Sequence, residues 1–427
     1  MRVGVHIGRG YVCAATVVDD EVVQAVETRS DVDAAVTAAL TRIAAMLGEP
    51  VTSVIVDVSD LLEPDDSTEV VAVLIEPRLP VTPRRHGWET EGLTVTTAQL
   101  RGGHTALGDE LVALDEEAML RLAGDLPRGA RVVLSATGAR CNPAHERRAA
   151  EMLRAAASVA GVTESHTFFS DSILTREYTA VVNAKLLRRA ERLSRVLAAA
   201  VARGAGPDAR VFVARNDGGC SSLARLSATP VHSLHSAFAA RMRGAAAVVG
   251  RTAGRVVVAL AEGVFLGEFA DGMLPVVAKA AAPPGAPALA SMFAQVVPLT
   301  DVLLSGGGAP ATVAVRGSES ALVAFGLTAS ITTDDDLVAI GAAMAPLSHW
   351  HNGITRIQVP ADVPRALRDG ASLAKATLVA VGADPELVRV TESRVLATAY
   401  DEAQIVRIRV RAVAETPTAR PAARISA

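Results

Sequence analysis

The sequence predicts an α/β protein of mixed sheets flanked by helices. Three observations carry that expectation. Apolar strand-like runs alternate with helix-period segments through the first part of the chain. A strand–turn–strand pattern opens the chain and recurs past its midpoint. Hydrophobic residues make up 50% of the sequence and aromatics only 3%, so Ala, Val and Leu fill the apolar positions of ample cores.

The elements follow in order. Residues 2–7 and 11–18 read as strands around a Gly-containing turn. Over 31–47, Val32, Val36, Leu40, Ile43 and Leu47 recur at helical spacing, with Ser30 as the expected N-cap. Segments 51–58 and 70–75 are expected as buried strands, separated by an acidic turn. Residues 82–97, with Trp88, are expected as a polar surface excursion. A helix over 115–123, a strand over 131–135 and a helix over 144–157 continue the alternation. The amphipathic segment 185–203 stops at Gly204-Ala205-Gly206-Pro207, which marks a domain boundary. A strand over 211–214 opens the next unit, and 256–260 with 263–269 form a second hairpin. A Pro-rich loop spans 281–287, a strand over 302–304 runs into Gly306-Gly307-Gly308, and 336–344 is helical. The last unit holds a helix over 361–381 and strands over 389–395 and 405–413. Residues 416–427 lack periodicity and are expected as a disordered tail.

Composition narrows the function classes. A length of 427 residues predicts two or three domains. The net charge of -4 gives no basic field for nucleic acid. Cys13, Cys141 and Cys220 lie far apart without a CxxC, so neither a disulfide framework nor a zinc knuckle is expected. Charges break each apolar run well before the roughly 18 residues a membrane helix needs. The N-terminus enters a strand directly, so the expectation is a cytoplasmic protein with no membrane partner.

The opening Arg2-Val3-Gly4-Val5-His6-Ile7-Gly8-Arg9-Gly10 resembles the nucleotide hairpin of the actin, Hsp70 and sugar-kinase superfamily, whose glycines let backbone N–H groups approach phosphate. Further along, Asn142-Pro143-Ala144-His145-Glu146, Arg176-Glu177-Tyr178, Val181-Val182-Asn183-Ala184, Asn216-Asp217-Gly218-Gly219 and Pro230-Val231 follow one another. Gly306-Gly307-Gly308, Ala339-Ile340-Gly341-Ala342-Ala343 and Arg407-Ile408-Arg409-Val410-Arg411 complete the order. Together they resemble the hydantoinase/oxoprolinase family, specifically its A-type subunits, over about residues 1 to 415.

That resemblance implies a two-lobed actin-like (ribonuclease H-like) ATPase fold with a central cleft. The expected division is an N-terminal lobe over 1–203, a second lobe over 208–350 and a C-terminal α/β segment over 351–415. It also implies ATP-dependent hydrolytic opening of a cyclic amide of the hydantoin or 5-oxoproline type. ATP and Mg²⁺ would be the cofactors, and a B-type subunit or a second copy the partner. On the matching positions, His6, Gly8, Gly10, Gly218, Gly219, Gly306, Gly307 and Gly308 would line the nucleotide, and Asp57, Asp217 and Glu262 would supply carboxylates.

Departures from the family pattern fall on the phosphate loops. The first loop carries His6 where the family has Asp, and imidazole is no hard oxygen ligand for Mg²⁺. The second runs Ala259-Leu260-Ala261-Glu262-Gly263-Val264-Phe265, with Glu262 its only carboxylate. The Val56-Asp57-Val58-Ser59-Asp60 segment lacks its glycine, and Ser236-Ala237-Phe238-Ala239 replaces a Ser-Gly-Pro-Ala turn. These losses point to relaxed selection on ATP hydrolysis, and the alternative is a catalytically inactive actin-like regulatory or partner-binding protein, a pseudoenzyme or reactivase-like clamp. In either case the His6 and Glu262 loops should face each other across the phosphate space.

Other polar clusters have plain structural readings. His232 with His235, and His349 with His351 around Trp350, lack a third ligand nearby, so no metal site is expected. Asn142-Pro143 most simply starts a helix, with His145 and Glu146 in its first turn. Cys13 and Cys220 read as small buried side chains.

Overall fold

A computed structural model describes residues 1–78, 87–156, 158–277, 288–304, 308–397 and 405–415. Strands β1 (Arg2–Ile7), β2 (Tyr11–Val18) and β3 (Glu21–Thr28) form an antiparallel meander. Helix α1 (Val32–Leu47) follows, capped by Asp31 rather than Ser30: the Asp31 carboxylate accepts from the Ala34 N–H. It ends at Gly48 in the left-handed conformation that glycine adopts without strain. Strand β4 (Ser53–Asp57) then lies parallel to β1 with His6 opposite Asp57.

Next come β5 (Val70–Glu76), a single turn α2 (Gly87–Thr90), β6 (Thr96–Arg101), a ribbon β7 (Gly103–His104) and β8 (Glu110–Val112), α3 (Glu116–Asp125), β9 (Arg131–Ala136), α4 (Ala144–Ala156) and β10 (Gly161–Glu164). Four of these strands make an all-parallel sheet in the order β10-β9-β5-β6. Trp88, expected on a surface excursion, is buried in the main core because α2 packs on the next long helix. That helix, α5 (Ile173–Gly204), starts well before the expected 185 and absorbs the Arg176-Glu177-Tyr178 and Val181–Ala184 segments. It packs on α1 and β9, and every side chain from Thr179 to Leu187 is buried. An amphipathic pattern cannot appear where a helix is covered on all sides.

The rest of the chain supplies β11 (Arg210–Ala214), β12 (Cys220–Ser222), α6 (Leu223–Leu226), α7 (Ser236–Val248), the hairpin β13 (Gly254–Leu260) and β14 (Gly263–Phe269), and the ribbon β15 (Val276–Val277) and β16 (Phe293–Ala294). Then come β17 (Val296–Pro298), α8 (Asp301–Leu304), β18 (Ala311–Val315), α9 (Ser320–Val323), β19 (Ile331–Thr333) and α10 (Leu337–Ala343). The chain closes with β20 (Leu347–Arg356), α11 (Asp362–Ala380), β21 (Arg389–Ala397) and β22 (Ile405–Ala414). The strand expected at 302–304 is the helical turn α8. Gly306, Gly307, the 281–287 loop and the 416–427 tail lie outside the described residues.

Two sheets share one strand order. The nine-stranded sheet contains β3-β2-β1-β4-β11, and the five-stranded sheet is β17-β14-β13-β18-β19. Each is a three-strand antiparallel meander followed by two parallel strands. Strands β12, β20, β22 and β21 extend the first sheet past β11. Segments 1–203, 208–350 and 351–415 therefore all contribute strands to that one sheet.

Helices α7 and α10 join the two sheets. Helix α10 packs on β1, β2 and β4, while α7 packs on α10 and β13. The approach is backbone to backbone. A Cβ on Gly341 would sit 1.7 Å from the Ala240 carbonyl oxygen, and one on Gly244 would sit 1.9 Å from that of Leu337. Gly4 of β1 is equally close to α10, its Cβ position 1.9 Å from the Ala339 oxygen. No helix among the described residues is long and apolar enough to cross a membrane.

Candidate functional site

Strand β1 delivers His6, almost fully buried, to the turn that carries Gly8 and Gly10. Its partner comes from the far end of the chain: His6 Nδ1 lies 2.8 Å from Asp336 Oδ2. Asp336 is the N-cap of α10, and its other oxygen accepts from the Val338 and Ala339 N–H groups. The Tyr11 hydroxyl sits 3.3 Å from His6 Nδ1. The Tyr11 ring covers the turn so closely that a Cβ on Gly8 would meet it at 2.6 Å, whereas Gly10 faces open space.

Burial disfavours the imidazolium of His6. The hydrogen bond and charge of Asp336, with Asp57 and Asp60 beyond, outweigh it and raise the His6 pKa above its ordinary value. Burial likewise pushes Asp336 up, but His6 and the α10 N–H groups hold its pKa below the ordinary value. Both shifts favour the imidazolium–carboxylate form of the pair. Among the described residues His6 Nε2 has no hydrogen-bond partner, and Asp60 Oδ2 lies 4.0 Å from it.

Asp57 is fully buried beside His6. One carboxylate oxygen accepts from the Ser59 N–H and hydroxyl, and the other from the Ser236 hydroxyl at the start of α7. Glu262, in contrast, is half-exposed in the β13–β14 turn and paired with Arg241 at 2.8 Å. The Phe238 and Phe265 rings pack beside that pair, with centroids 6.3 Å apart, and leave a cavity of about 10 Å³. Helix α7 thus touches both hairpin regions. Ser236 bonds the neighbour of His6, and Arg241, about 7.5 Å further along the helix axis, bonds Glu262.

Asp217 anchors a separate constellation. It follows β11, with Gly218 at φ 79° closing the turn. Its carboxylate accepts from the Gly219 N–H, the Ser348 hydroxyl and the Trp350 indole N–H, and Arg411 and Arg215 lie 3.8 Å and 4.0 Å away. Full burial works against the charge, but Arg215, Arg411 and these donors drive the Asp217 pKa far below the carboxylate range. A Cβ on Gly219 would meet Ser348 at 2.3 Å, so the packing of β20 requires glycine here. These three donors tie the Asp217 carboxylate to its own turn and to β20.

Sequence reasoning missed Asp336, Tyr11, Trp350 and the arginines of β22. The visible signal was the strict basic–apolar alternation Arg407-Ile408-Arg409-Val410-Arg411, which places three cations on one strand face. His104, Glu110 and His145 also converge, their ligand atoms within 4.8 Å of one another. The Gly103 N–H donates to His145 Nδ1, so His145 Nε2 carries the proton and donates to Glu110. That tautomer leaves His145 no lone pair for a cation. Gly308, beside the undescribed Gly306 and Gly307, faces open space.

No protein-family profile and no curated protein sequence matches the chain. Solved structures do. Acetone carboxylase, in a nucleotide-free structure concerned with ATP-dependent acetone carboxylation, aligns at TM-score 0.68 and 11% identity, over 97% of this chain and 88% of that one. The ATP-dependent caprolactamase of Pseudomonas jessenii aligns at TM-score 0.70 and 13% identity, over 98% and 88%. At these identities the likeness shows the fold. Both neighbours belong to the hydantoinase/oxoprolinase family, so the resemblance read from the sequence holds in the fold.

Proposed function

We propose that this chain is a hydantoinase/oxoprolinase-type subunit that keeps the actin-like two-lobed clamp and uses it to bind a ligand or partner, without hydrolysing ATP through its own hairpins. The repeated strand order of the two sheets supports the two lobes. The observation that carries the loss of hydrolysis is the His6–Asp336 bond. Where the resemblance implies a metal-binding acid, an imidazolium already neutralises the nearest carboxylate.

Three further observations agree that the residues present do not fit Mg²⁺–ATP. The Tyr11 ring lies on Gly8, where phosphate oxygens would need bare backbone. Asp57 has both oxygens engaged by serines. Glu262 is held by Arg241 beside the packed Phe238 and Phe265 rings. A B-type subunit or a second copy is the proposed partner, in keeping with the resemblance.

The second reading is the ATP-dependent opening of a cyclic amide. It is supported by the fold shared with two ATP-dependent enzymes and by the grouping of Asp57, Asp60 and Asp336 around His6. Thermal unfolding and calorimetry of the full chain with and without Mg²⁺–ATP separate the two. The clamp predicts no Mg²⁺-dependent shift and no phosphate release with hydantoin or 5-oxoproline, alone or with a B-type subunit. Turnover stimulated by either ring would establish the enzyme and overturn the clamp.

A further inference from the structure

We infer that the cavity between α6 and β20 is a binding site for a small ring-bearing carboxylate. The cavity measures about 200 Å³. Engineered protein cavities of roughly 150 Å³ already admit a benzene ring. No residue of either hairpin lines it, so the site stands or falls independently of the nucleotide question.

Charge sets the ligand's sign. Arg215 and Arg225 line the cavity, and among the described residues no acidic side chain does. Arg215 is mostly buried, its Nε has no hydrogen-bond partner, and its nearest acid is Asp217, already shared with Arg411. The guanidinium of exposed Arg225 donates no hydrogen bond and forms no ion pair among the described residues. The remaining charges behind the walls are paired: Arg409 with Glu392, Arg411 with Asp217 and Arg407 with Asp171. Two lining histidines agree with a positive interior. Burial and the charge of Arg215 push His232 down to about 3 and His349 down to about 4, so both are neutral.

Shape and polarity set the rest. Trp350, Phe169 and Met292 give apolar walls, with Trp350 held under Arg409 and Arg411 and Phe169 under Arg407. Asn352 Oδ1 is a buried acceptor without a donor among the described residues. A buried unpaired acceptor costs free energy that a ligand O–H or N–H removes. The geometry therefore matches a planar apolar body with a carboxylate toward the two guanidiniums and a donor group toward Asn352.

Isothermal titration of the full chain with benzoate, 4-hydroxybenzoate, benzamide and inorganic phosphate tests this. Benzoate and 4-hydroxybenzoate should bind with a Kd below about 1 mM, whereas benzamide and phosphate should not. Arg225→Gln should weaken benzoate about tenfold, the scale of one charge-assisted bond. Its side chain holds nothing together, so the variant should keep the wild-type unfolding temperature. Asn352→Leu should remove only the advantage of 4-hydroxybenzoate over benzoate. Lack of benzoate binding overturns the proposal. So does equal binding of benzamide, equal binding of phosphate, or benzoate affinity unchanged in both Arg225→Gln and Arg215→Gln.

Discussion

His6 Nδ1 and Asp336 Oδ2 meet at 2.8 Å across a separation of 330 residues. The bond ties the first strand to the N-terminus of α10, the helix that also locks onto α7. One carboxylate thus serves as helix cap and as counter-ion to a buried imidazolium.

The pH dependence of that bond follows from two opposite shifts. His6 is raised above 6.5, so its contribution is complete below that value and is lost as pH rises through the folded pKa. Asp336 is lowered below 3.8, so its contribution is complete above that value and is lost as pH falls through the folded pKa. The pair is worth most between 3.8 and 6.5. Asp336→Asn should cost about 3 kcal/mol in urea unfolding at about pH 5.5, and clearly less at about pH 9, as the His6 proton is lost with rising pH. An equal cost at both values would show that His6 is not charged.

Asp217 and Glu262 should behave oppositely despite both being candidate acids. Asp217→Ala leaves Arg411 buried without its counter-ion and the Trp350 N–H without its acceptor. Its cost should reach about 3–5 kcal/mol, with a shift in Trp350 fluorescence. Glu262→Gln breaks only a half-exposed pair with Arg241 and should change the unfolding free energy by less than about 1 kcal/mol. Comparable losses at the two positions would contradict the burial difference.

Two glycines make a third comparison. Gly341→Ala drives a methyl group into the Ala240 carbonyl and should cost about 3 kcal/mol or more, read as a lowered thermal midpoint. Gly124 of α3 faces open space, so Gly124→Ala should instead stabilise by about 0.5–1 kcal/mol. Tolerance of alanine at 341 would mean that α7 and α10 do not touch through their backbones.

Much of the fold was legible because local patterns report local burial. The alternating apolar runs located β1, β2, β4, β5, β9, β13 and β14, and the 3.6-residue period located α1, α3, α4 and α11. The misses share one cause. The stretch of α5 from Thr179 to Leu187 shows no amphipathic pattern, because other elements cover it all round. Trp88 sat in a polar stretch, yet long-range packing buried it. The run at 302–304 was too short for its period to tell strand from helix.

The sequence by itself determined the hairpins, the α/β alternation and the resemblance that led to the fold, because each depends on residues near one another in the chain. It also showed that His6 stands where a metal-binding acid was expected. Only the tertiary structure decided what that histidine meets. Asp336 is brought to it by the glycine-mediated approach of α10, just as β20 and β22 bring Trp350 and Arg411 to Asp217. A buried charge must find its counter-ion and donors wherever the fold supplies them, and that choice lies in the long-range register of strands and helices.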